Sequence, residues 1–203
     1  MEALGDVPLE RIIFDPWPGT ATEADLLRKI EVEDQICELI DGTLVEKAMG
    51  FYESVLAMIL IQELLNFIRP RNLGVVGGGD GPLRLRLNLV RLPDVSFISS
   101  ARVRAAGGIR EQIPSLVPDL AVEVLSPSNR PGEMKRKREH YFESGVRLVW
   151  IINPETRTAE AHTSLNERET IKPDGLLDGR DVLPGFQLQL SELFAAADRM
   201  VEA

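Results

Sequence analysis

Two carboxylates on predicted strands, and a group of cationic side chains after them, are the residues of this sequence best suited to chemistry. Asp94 follows Pro93 at the start of one predicted strand, and Glu123 interrupts an apolar run at 120–125. An ionised carboxylate in a buried strand is costly unless a cation or several hydrogen-bond donors meet it. Lysine and arginine side chains that could meet it occur together at 135–138.

These residue types suit the cleavage of a phosphodiester bond. Carboxylates, backbone carbonyls and water are the oxygen ligands that Mg²⁺ takes in proteins. The metal would polarise the phosphate and activate the attacking water, and a lysine would orient that water or stabilise the developing charge. Taken alone the pattern is weak evidence, because many α/β proteins carry an Asp and a Glu on strands.

The segments around Glu123 predict a strand, a crossover helix and a second strand. The run at 120–125 lies between prolines and predicts a strand buried on both faces, and the residues at 147–152 predict another. Residues 133–144 between them predict a helix, so we expect a parallel pair of strands with a right-handed connection. In the first strand, Glu123 should share a face with Ala121 and Leu125.

The rest of the chain gives a coarser prediction of secondary structure. We expect an irregular arm at 1–21, a capped helix from Thr22 to about 32, a hairpin of 35–40 and 43–47, an apolar helix at 50–68, strands at 83–89, 93–99, 159–163 and 169–172, a surface loop at 100–117, a strand at 182–190 and a helix at 191–197. The helix at 50–68 has a broad apolar surface, so we expect the sheet and a second subunit of a homodimer to cover it.

Composition narrows the classes of protein that need to be considered. A chain of 203 residues with one cysteine predicts a single domain in a reducing compartment, without an intramolecular disulfide. We expect a cytoplasmic location and no membrane association, because no signal peptide is evident and the apolar segment at 55–65 is too short to span a bilayer. The net charge of −9 argues against a broad nucleic-acid-coating surface, but not against a narrow site.

Several motifs together resemble the Uma-type endonuclease family, which belongs to the PD-(D/E)XK nuclease superfamily. The resemblance covers about 30–195 and is carried by ELIDGTLVEKAMG at 38–50, LPDVSFIS at 92–99, VPDLAVEVLSPSN at 117–129, KxxxY at 137–141, SGVRLVWIINPETRTAEAH at 144–162 and LPGFQLQLSELF at 183–194. The resemblance implies an α/β fold, with a mixed sheet flanked by helices.

The same resemblance implies an activity and a set of site residues. It implies an endonuclease that acts on DNA and depends on Mg²⁺ or Mn²⁺, with Asp94 and Glu123 as metal ligands. Glu53, on the predicted apolar helix, would have a supporting role. The alternative is a catalytically inactive nuclease-fold domain that binds nucleic acid or protein without cutting.

The sequence departs from the superfamily pattern at the lysine. Leu125 stands where (D/E)XK has its lysine, and the resemblance suggests that Lys137 on the following helix replaces it. Periodicity alone does not choose between Lys137 and Arg138, because Arg138 lies nearer the centre of the inward face that Met134 and Tyr141 mark. Lysine is the better catalytic candidate because its pKa can move on burial, whereas arginine stays charged.

Structural roles remain open for each candidate. Asp94 could cap the start of its strand, and Glu123 could form a structural ion pair with Arg138. Lys137 could be one of four solvated charges on a helix, and Glu53 could be an ordinary surface residue of its helix.

Overall fold

The computed structural model describes residues 4–48 and 50–201. The helices are α1 (Glu23–Glu31), α2 (Phe51–Ile68), α3 (Ser100–Ala105), α4 (Pro131–Ser144) and α5 (Leu190–Val201). The strands are β1 (Ile12–Ile13), β2 (Cys37–Ile40), β3 (Thr43–Glu46), β4 (Gly74–Gly78), β5 (Leu83–Arg86), β6 (Leu89–Arg91), β7 (Val95–Ser99), β8 (Leu120–Val124), β9 (Leu148–Asn153), β10 (Thr158–His162), β11 (Arg168–Ile171), β12 (Leu176–Asp178) and β13 (Gln187–Gln189).

A six-stranded sheet forms the centre of the fold, in the order β11-β10-β9-β8-β7-β4. Strands β8 and β9 are parallel, with Leu120 opposite Leu148 and Glu123 opposite Ile151, and the other neighbouring pairs in the sheet are antiparallel. Helix α4 connects β8 to β9, as the pattern of strand, helix and strand predicted. The fold is therefore mixed α/β, as expected.

A second, antiparallel sheet of five strands, β1-β3-β2-β6-β5, packs on one face of the central sheet together with α4. Helix α1 covers the outer face of this smaller sheet through residues such as Leu26. Helices α2 and α5 and the β12–β13 hairpin contribute to the apolar core on the other face of the central sheet. The central sheet is thus covered on both faces.

The alternation of side chains along β8 places Glu123 as predicted. Leu120, Val122 and Val124 lie in the apolar core with α2, whereas Ala121 packs among the residues of α4 and the smaller sheet. Successive side chains of a strand point to opposite faces, so Glu123 points with Ala121 towards α4. The capping box predicted at the start of α1 is also present, formed by Thr22 and Asp25.

Several predicted elements were wrong. The segment at 83–89 is not one strand, because the chain turns at Asn88, which has a φ of 57°, and returns as β6. Strand β4 was not predicted, because glycine is disfavoured in strands and three of its five residues are glycines. The expected loop at 100–117 begins with α3, which the Ser99 side chain caps. The expected strand at 182–190 is reduced to β13, and α5 begins at Leu190.

The N-terminal arm is more ordered than expected, although its residues 1–3 lie outside the described residues. A 3-10 helix spans Leu9–Arg11, and β1 pairs with β3 through Ile12 opposite Val45. Arg11 donates hydrogen bonds from Nη1 and Nη2 to Glu133 on α4, each 2.9 Å long. These contacts join the arm to the smaller sheet and to the crossover helix.

Helix α2 is long and apolar because it belongs to the core. The segment Phe51–Arg71 has a mean hydropathy of 1.4 and would be long enough to cross a membrane by length and composition alone. This segment is longer than the apolar run at 55–65 that the sequence analysis considered too short to span a bilayer. Leu56, Leu60 and Leu64 are fully buried in the core that α2 shares with α5 and the central sheet. Helix α5 therefore covers part of the surface expected to face a second subunit.

Candidate active site

Asp94 and Glu123 lie next to each other on the face of the central sheet that α4 covers. Val95 on β7 pairs with Val122 on β8, so the residue before Val95 lies beside the one after Val122. The backbone N–H of Val124 donates a 2.7 Å hydrogen bond to Asp94 Oδ2, which fixes this carboxylate at the edge of β8. Both acidic residues are almost fully buried.

Lys137 and Tyr141 of α4 occupy the two oxygens of the Glu123 carboxylate. The Lys137 ammonium lies 2.8 Å from Oε2, and the Tyr141 hydroxyl donates a hydrogen bond to Oε1. The two side chains are one helical turn apart, so both reach the strand from the same face of α4. The KxxxY spacing therefore positions two donors on one carboxylate.

Lys47, from the segment after β3, occupies the corresponding place beside Asp94. Its ammonium lies 2.8 Å from Asp94 Oδ1 and donates hydrogen bonds to the carbonyls of Gly79, at 2.8 Å, and Leu92, at 2.7 Å. Asp94 Oδ1 accepts no hydrogen bond from the described residues, so its contact with Lys47 is electrostatic rather than a well-directed hydrogen bond.

The smaller sheet adds a third carboxylate to this group. Glu38 Oε1 lies 3.7 Å from the Lys137 ammonium and accepts a 3.0 Å hydrogen bond from the backbone N–H of Leu92. Glu38 Oε2 lies 2.6 Å from Nη1 of Arg91, whose Nη2 contacts His140 Nδ1 at 2.7 Å. Side chains from both sheets and α4 thus meet in one polar layer.

We refer to the six charged residues of this layer as the charge cluster. Its carboxylates and its cations are equal in number: Glu38, Asp94 and Glu123 face Lys47, Arg91 and Lys137. Every one of these side chains is at most 5% exposed. The cluster is therefore electrically balanced without any bound ion, as buried charges generally must be.

The balance holds the charged forms of Glu38 and Lys137. Burial alone would raise the pKa of Glu38, but the charges of Lys137 and Arg91 and the Leu92 N–H lower it to about 2. Burial alone would lower the pKa of Lys137, but the carboxylates of Glu123 and Glu38 outweigh that effect and raise the pKa above its usual value. Lys137 therefore stays an ammonium at neutral pH.

The pKa values of Glu123, Tyr141 and His140 shift in the direction that burial favours. Burial raises the pKa of Glu123, and the nearby charges of Asp94 and Glu38 add to the rise while Lys137 opposes it. Burial and the charge of Glu123 raise the pKa of Tyr141 well above its usual value. Burial and the Arg91 charge lower the pKa of His140 to about 3, so this imidazole is neutral at pH 7.

The other cations of α4 lie outside the charge cluster. Arg138, which competed with Lys137 in the sequence, has its Nη1 3.8 Å from Glu160 on β10. A structural pair between Glu123 and Arg138 is therefore the wrong alternative. The Lys135 side chain is 71% exposed, with Glu139 as a distant partner at 3.9 Å.

Glu53, the fourth residue that the sequence suggested, is not brought into the cluster. It is half-buried in the first turn of α2 and lines a cavity of about 770 Å³ beside Leu125 and Arg138. A separate cavity of about 410 Å³ is lined by Lys47 and Asp94, together with Met58 and other residues of α2. The two carboxylates predicted as metal ligands are therefore close together, with Glu53 apart from them.

The donor chemistry of the site suits a divalent cation, although no preformed cage is evident. No group of three or more His, Cys, Asp or Glu side chains within 4–48 and 50–201 is arranged to hold a metal ion. Asp94 and Glu123 nevertheless offer hard oxygen ligands, and the Leu92 and Gly79 carbonyls already bind a cation, the Lys47 ammonium. The residues therefore fit Mg²⁺ or Mn²⁺ if an ammonium moves away.

Sequence reasoning missed Glu38, Lys47 and Arg91 as members of the site. Glu38 carried a signal, since it interrupts an apolar strand in the same way as Glu123. Lys47 lies in one of the motifs that carry the resemblance, but neither it nor Arg91 was assigned to the site, because their contacts depend on how the smaller sheet packs against the central one.

Comparisons with known proteins identify the family and the fold of this chain. Residues 24–191 match the model of the Uma2 family, described as "putative restriction endonuclease". Among solved structures, the fold is similar to a crystal structure of a putative nuclease belonging to DUF820 from Anabaena variabilis. The two are 20% identical with a TM-score of 0.69, over 79% of this chain and 90% of that one, which shows a shared fold. No curated protein matches the sequence.

Proposed function

The chain belongs to the Uma2 family of nuclease-like proteins, and we propose that it is a divalent-metal-dependent endonuclease that hydrolyses phosphodiester bonds of DNA. The observation that supports this most strongly is the placement of two buried carboxylates, Asp94 and Glu123, side by side on neighbouring strands with Lys137 on one of them. A buried acidic pair is costly to maintain, so a use for it is expected.

Asp94 and Glu123 are the residues that would hold the metal, and Mg²⁺ or Mn²⁺ suits their oxygen donors. When bound, the ion would polarise the scissile phosphate and favour ionisation of the attacking water. Tyr141 would keep Glu123 in position, since its raised pKa leaves the hydroxyl protonated as a hydrogen-bond donor.

Lys137 would act as a fixed positive charge and not as a base. Its pKa is raised by Glu123 and Glu38, so it carries no free electron pair at neutral pH. An ammonium held this close to the acidic pair can orient water and stabilise negative charge that develops on the phosphate. Glu38 lies 3.7 Å from the Lys137 ammonium and would help to hold it in position. Arg91 would act through Glu38, with which it forms an ion pair.

The proposal is tested by cleavage of supercoiled and linear duplex DNA in Mg²⁺ or Mn²⁺, with and without EDTA. We expect metal-dependent nicking that is lost in Asp94→Asn and Glu123→Gln. Lys137→Ala should reduce turnover by about 10²-fold or more, the loss typical of one electrostatic stabiliser. Arg138→Ala, on the same helix but paired with Glu160, is the matched control and should cleave at the wild-type rate.

A second candidate function is binding without cleavage. The equal numbers of buried carboxylates and cations favour it, because the charges of the cluster cancel without a metal. In that case, Asp94→Asn and Glu123→Gln would bind DNA as the wild type does, and no protein would cleave. Electrophoretic mobility shifts run beside the cleavage assay separate the two functions.

A homodimer is the proposed assembly. Helix α5 covers part of α2, so the support for a dimer comes from the apolar residues of α2 that stay exposed. These are Phe51, which is 84% exposed, and Met58, which is 70% exposed. These residues are seven apart and so share one face of the helix. Sedimentation velocity should show a dimer at micromolar concentration that Met58→Glu weakens, and a monomer in the wild type would contradict the assembly.

A further inference from the structure

We propose that Lys47 is a built-in competitor for the metal, and that a divalent cation binds Asp94 only by displacing the Lys47 ammonium into the adjoining cavity. The inference concerns the same site and rests on the proposed function. It assigns a residue outside the acidic pair to the control of metal binding.

The Lys47 ammonium is held as a bound cation would be. Three oxygens surround it, from the Asp94 carboxylate and the carbonyls of Gly79 and Leu92, all within 2.8 Å. Carboxylate and carbonyl oxygens are also the ligands of Mg²⁺ and Ca²⁺. The ammonium therefore occupies a cradle that a metal ion could use.

Asp94 keeps unused capacity to bind a cation. Its Oδ2 accepts the Val124 N–H, but Oδ1 is buried and accepts no hydrogen bond from the described residues. A buried carboxylate oxygen without a hydrogen bond is costly, and a closer or doubly charged cation would relieve that cost. The contact with Lys47 neutralises Asp94 without satisfying its lone pairs.

The two lysines of the site differ in their freedom to leave. Lys47 lines the cavity of about 410 Å³ beside Asp94, so its long side chain has space to enter. Lys137 does not line this cavity and is held by Glu123 and Glu38 together. The displaced cation should therefore be Lys47, while Lys137 stays on Glu123.

Displacement has a defined electrostatic consequence. A divalent ion in place of the Lys47 ammonium raises the positive charge beside Asp94 by one, because a charge of +2 replaces a charge of +1. Lys47 in the cavity would carry its charge towards solvent, where a DNA phosphate could pair with it. Metal and DNA should then favour each other's binding.

Isothermal titration of Mn²⁺ into the purified full chain tests the inference without a cleavage assay. Lys47→Gln should bind Mn²⁺ at least about tenfold more tightly than the wild type, because no ammonium has to be displaced. Lys47→Arg keeps the charge and should bind no more tightly than the wild type. Lys135→Ala removes an exposed ammonium of α4 and should match the wild type. Asp94→Asn should lose the site.

A second measurement follows the wild type itself, and a variant is needed only to assign the signal. The lysine ¹⁵N–¹H₃ signal of Lys47, assigned by its loss in Lys47→Arg, should shift on addition of Mg²⁺, while that of Lys137 should keep its hydrogen-bonded position. Equal Mn²⁺ affinity of Lys47→Gln and the wild type would overturn the inference, and so would a Lys47 signal that does not move at saturating Mg²⁺. If metal-dependent cleavage persists in either case, the proposed function still holds. Absence of metal binding in every protein would overturn the inference and the proposed function together.

Discussion

Replacing Lys137 by methionine should destabilise the protein strongly, because it leaves the Glu123 carboxylate without its cation. The ammonium lies 2.8 Å from Glu123 Oε2, a separation worth about 6 kcal/mol at an effective dielectric constant of about 20. Relaxation and water entry reduce the measured loss, and removal of one partner from a buried pair typically costs about 3–5 kcal/mol. We expect Lys137→Met to fall in that range.

Urea unfolding of four proteins at pH 7.5 measures this effect. The wild type, Lys137→Met, Glu123→Gln and the double variant form a double-mutant cycle. The double variant should be less destabilised than the sum of the single ones by about 2 kcal/mol or more, since neither charge is left alone. Lys135→Met, on the exposed face of the same helix, should change stability by no more than about 0.5 kcal/mol. A Lys137→Met loss as small as that of Lys135→Met would refute the description of a tightly coupled buried pair.

Three further predictions concern residues around the cluster. The folded-state pKa of His140 lies at about 3, below its unfolded value of about 6.5, so stability should fall as pH drops from 6.5 towards 3, by about 2 kcal/mol at pH 5. The urea midpoints of His140→Asn should lack this part of the pH dependence. Glu53→Gln should leave Mn²⁺ affinity unchanged in calorimetric titrations, because Glu53 lies outside the cluster; a loss comparable to Asp94→Asn would contradict its placement. Lys135→Ala should weaken DNA binding, because we expect this exposed ammonium to contact a phosphate. In fluorescence anisotropy, the slope of log K against the logarithm of the salt concentration should fall in magnitude by about one.

Local patterns were sufficient to predict the part of the site built from β8 and α4. The alternation along β8 places Glu123 on the α4 side, and the four-residue spacing of Lys137 and Tyr141 brings both to it. These relations depend on one strand and one helix that are adjacent in the chain. The choice between Lys137 and Arg138 was less secure, because both lie near the same face of a helix, and tertiary packing decides which one is buried.

Contacts between distant segments could not be predicted in this way. Lys47 reaches Asp94 because the smaller sheet packs against the central one, and nothing in the local sequence indicates that packing. Strand β4 was hidden by its glycines, which propensity assigns to turns, although Gly74 and Gly77 suit the close approach of β7. Gly74 could not carry a side chain, since its Cβ would meet the Ile98 carbonyl oxygen at 2.1 Å.

The most direct test of the central claim is the anomalous diffraction of crystals soaked in Mn²⁺. We predict one strong peak between Asp94 and Glu123, about 2.1–2.2 Å from an oxygen of each. The Lys137 ammonium should remain beside Glu123, as it is here at 2.8 Å. A Mn²⁺ peak elsewhere, or none at a concentration that saturates the protein in solution, would contradict the assignment of these two carboxylates as the metal ligands of a nuclease.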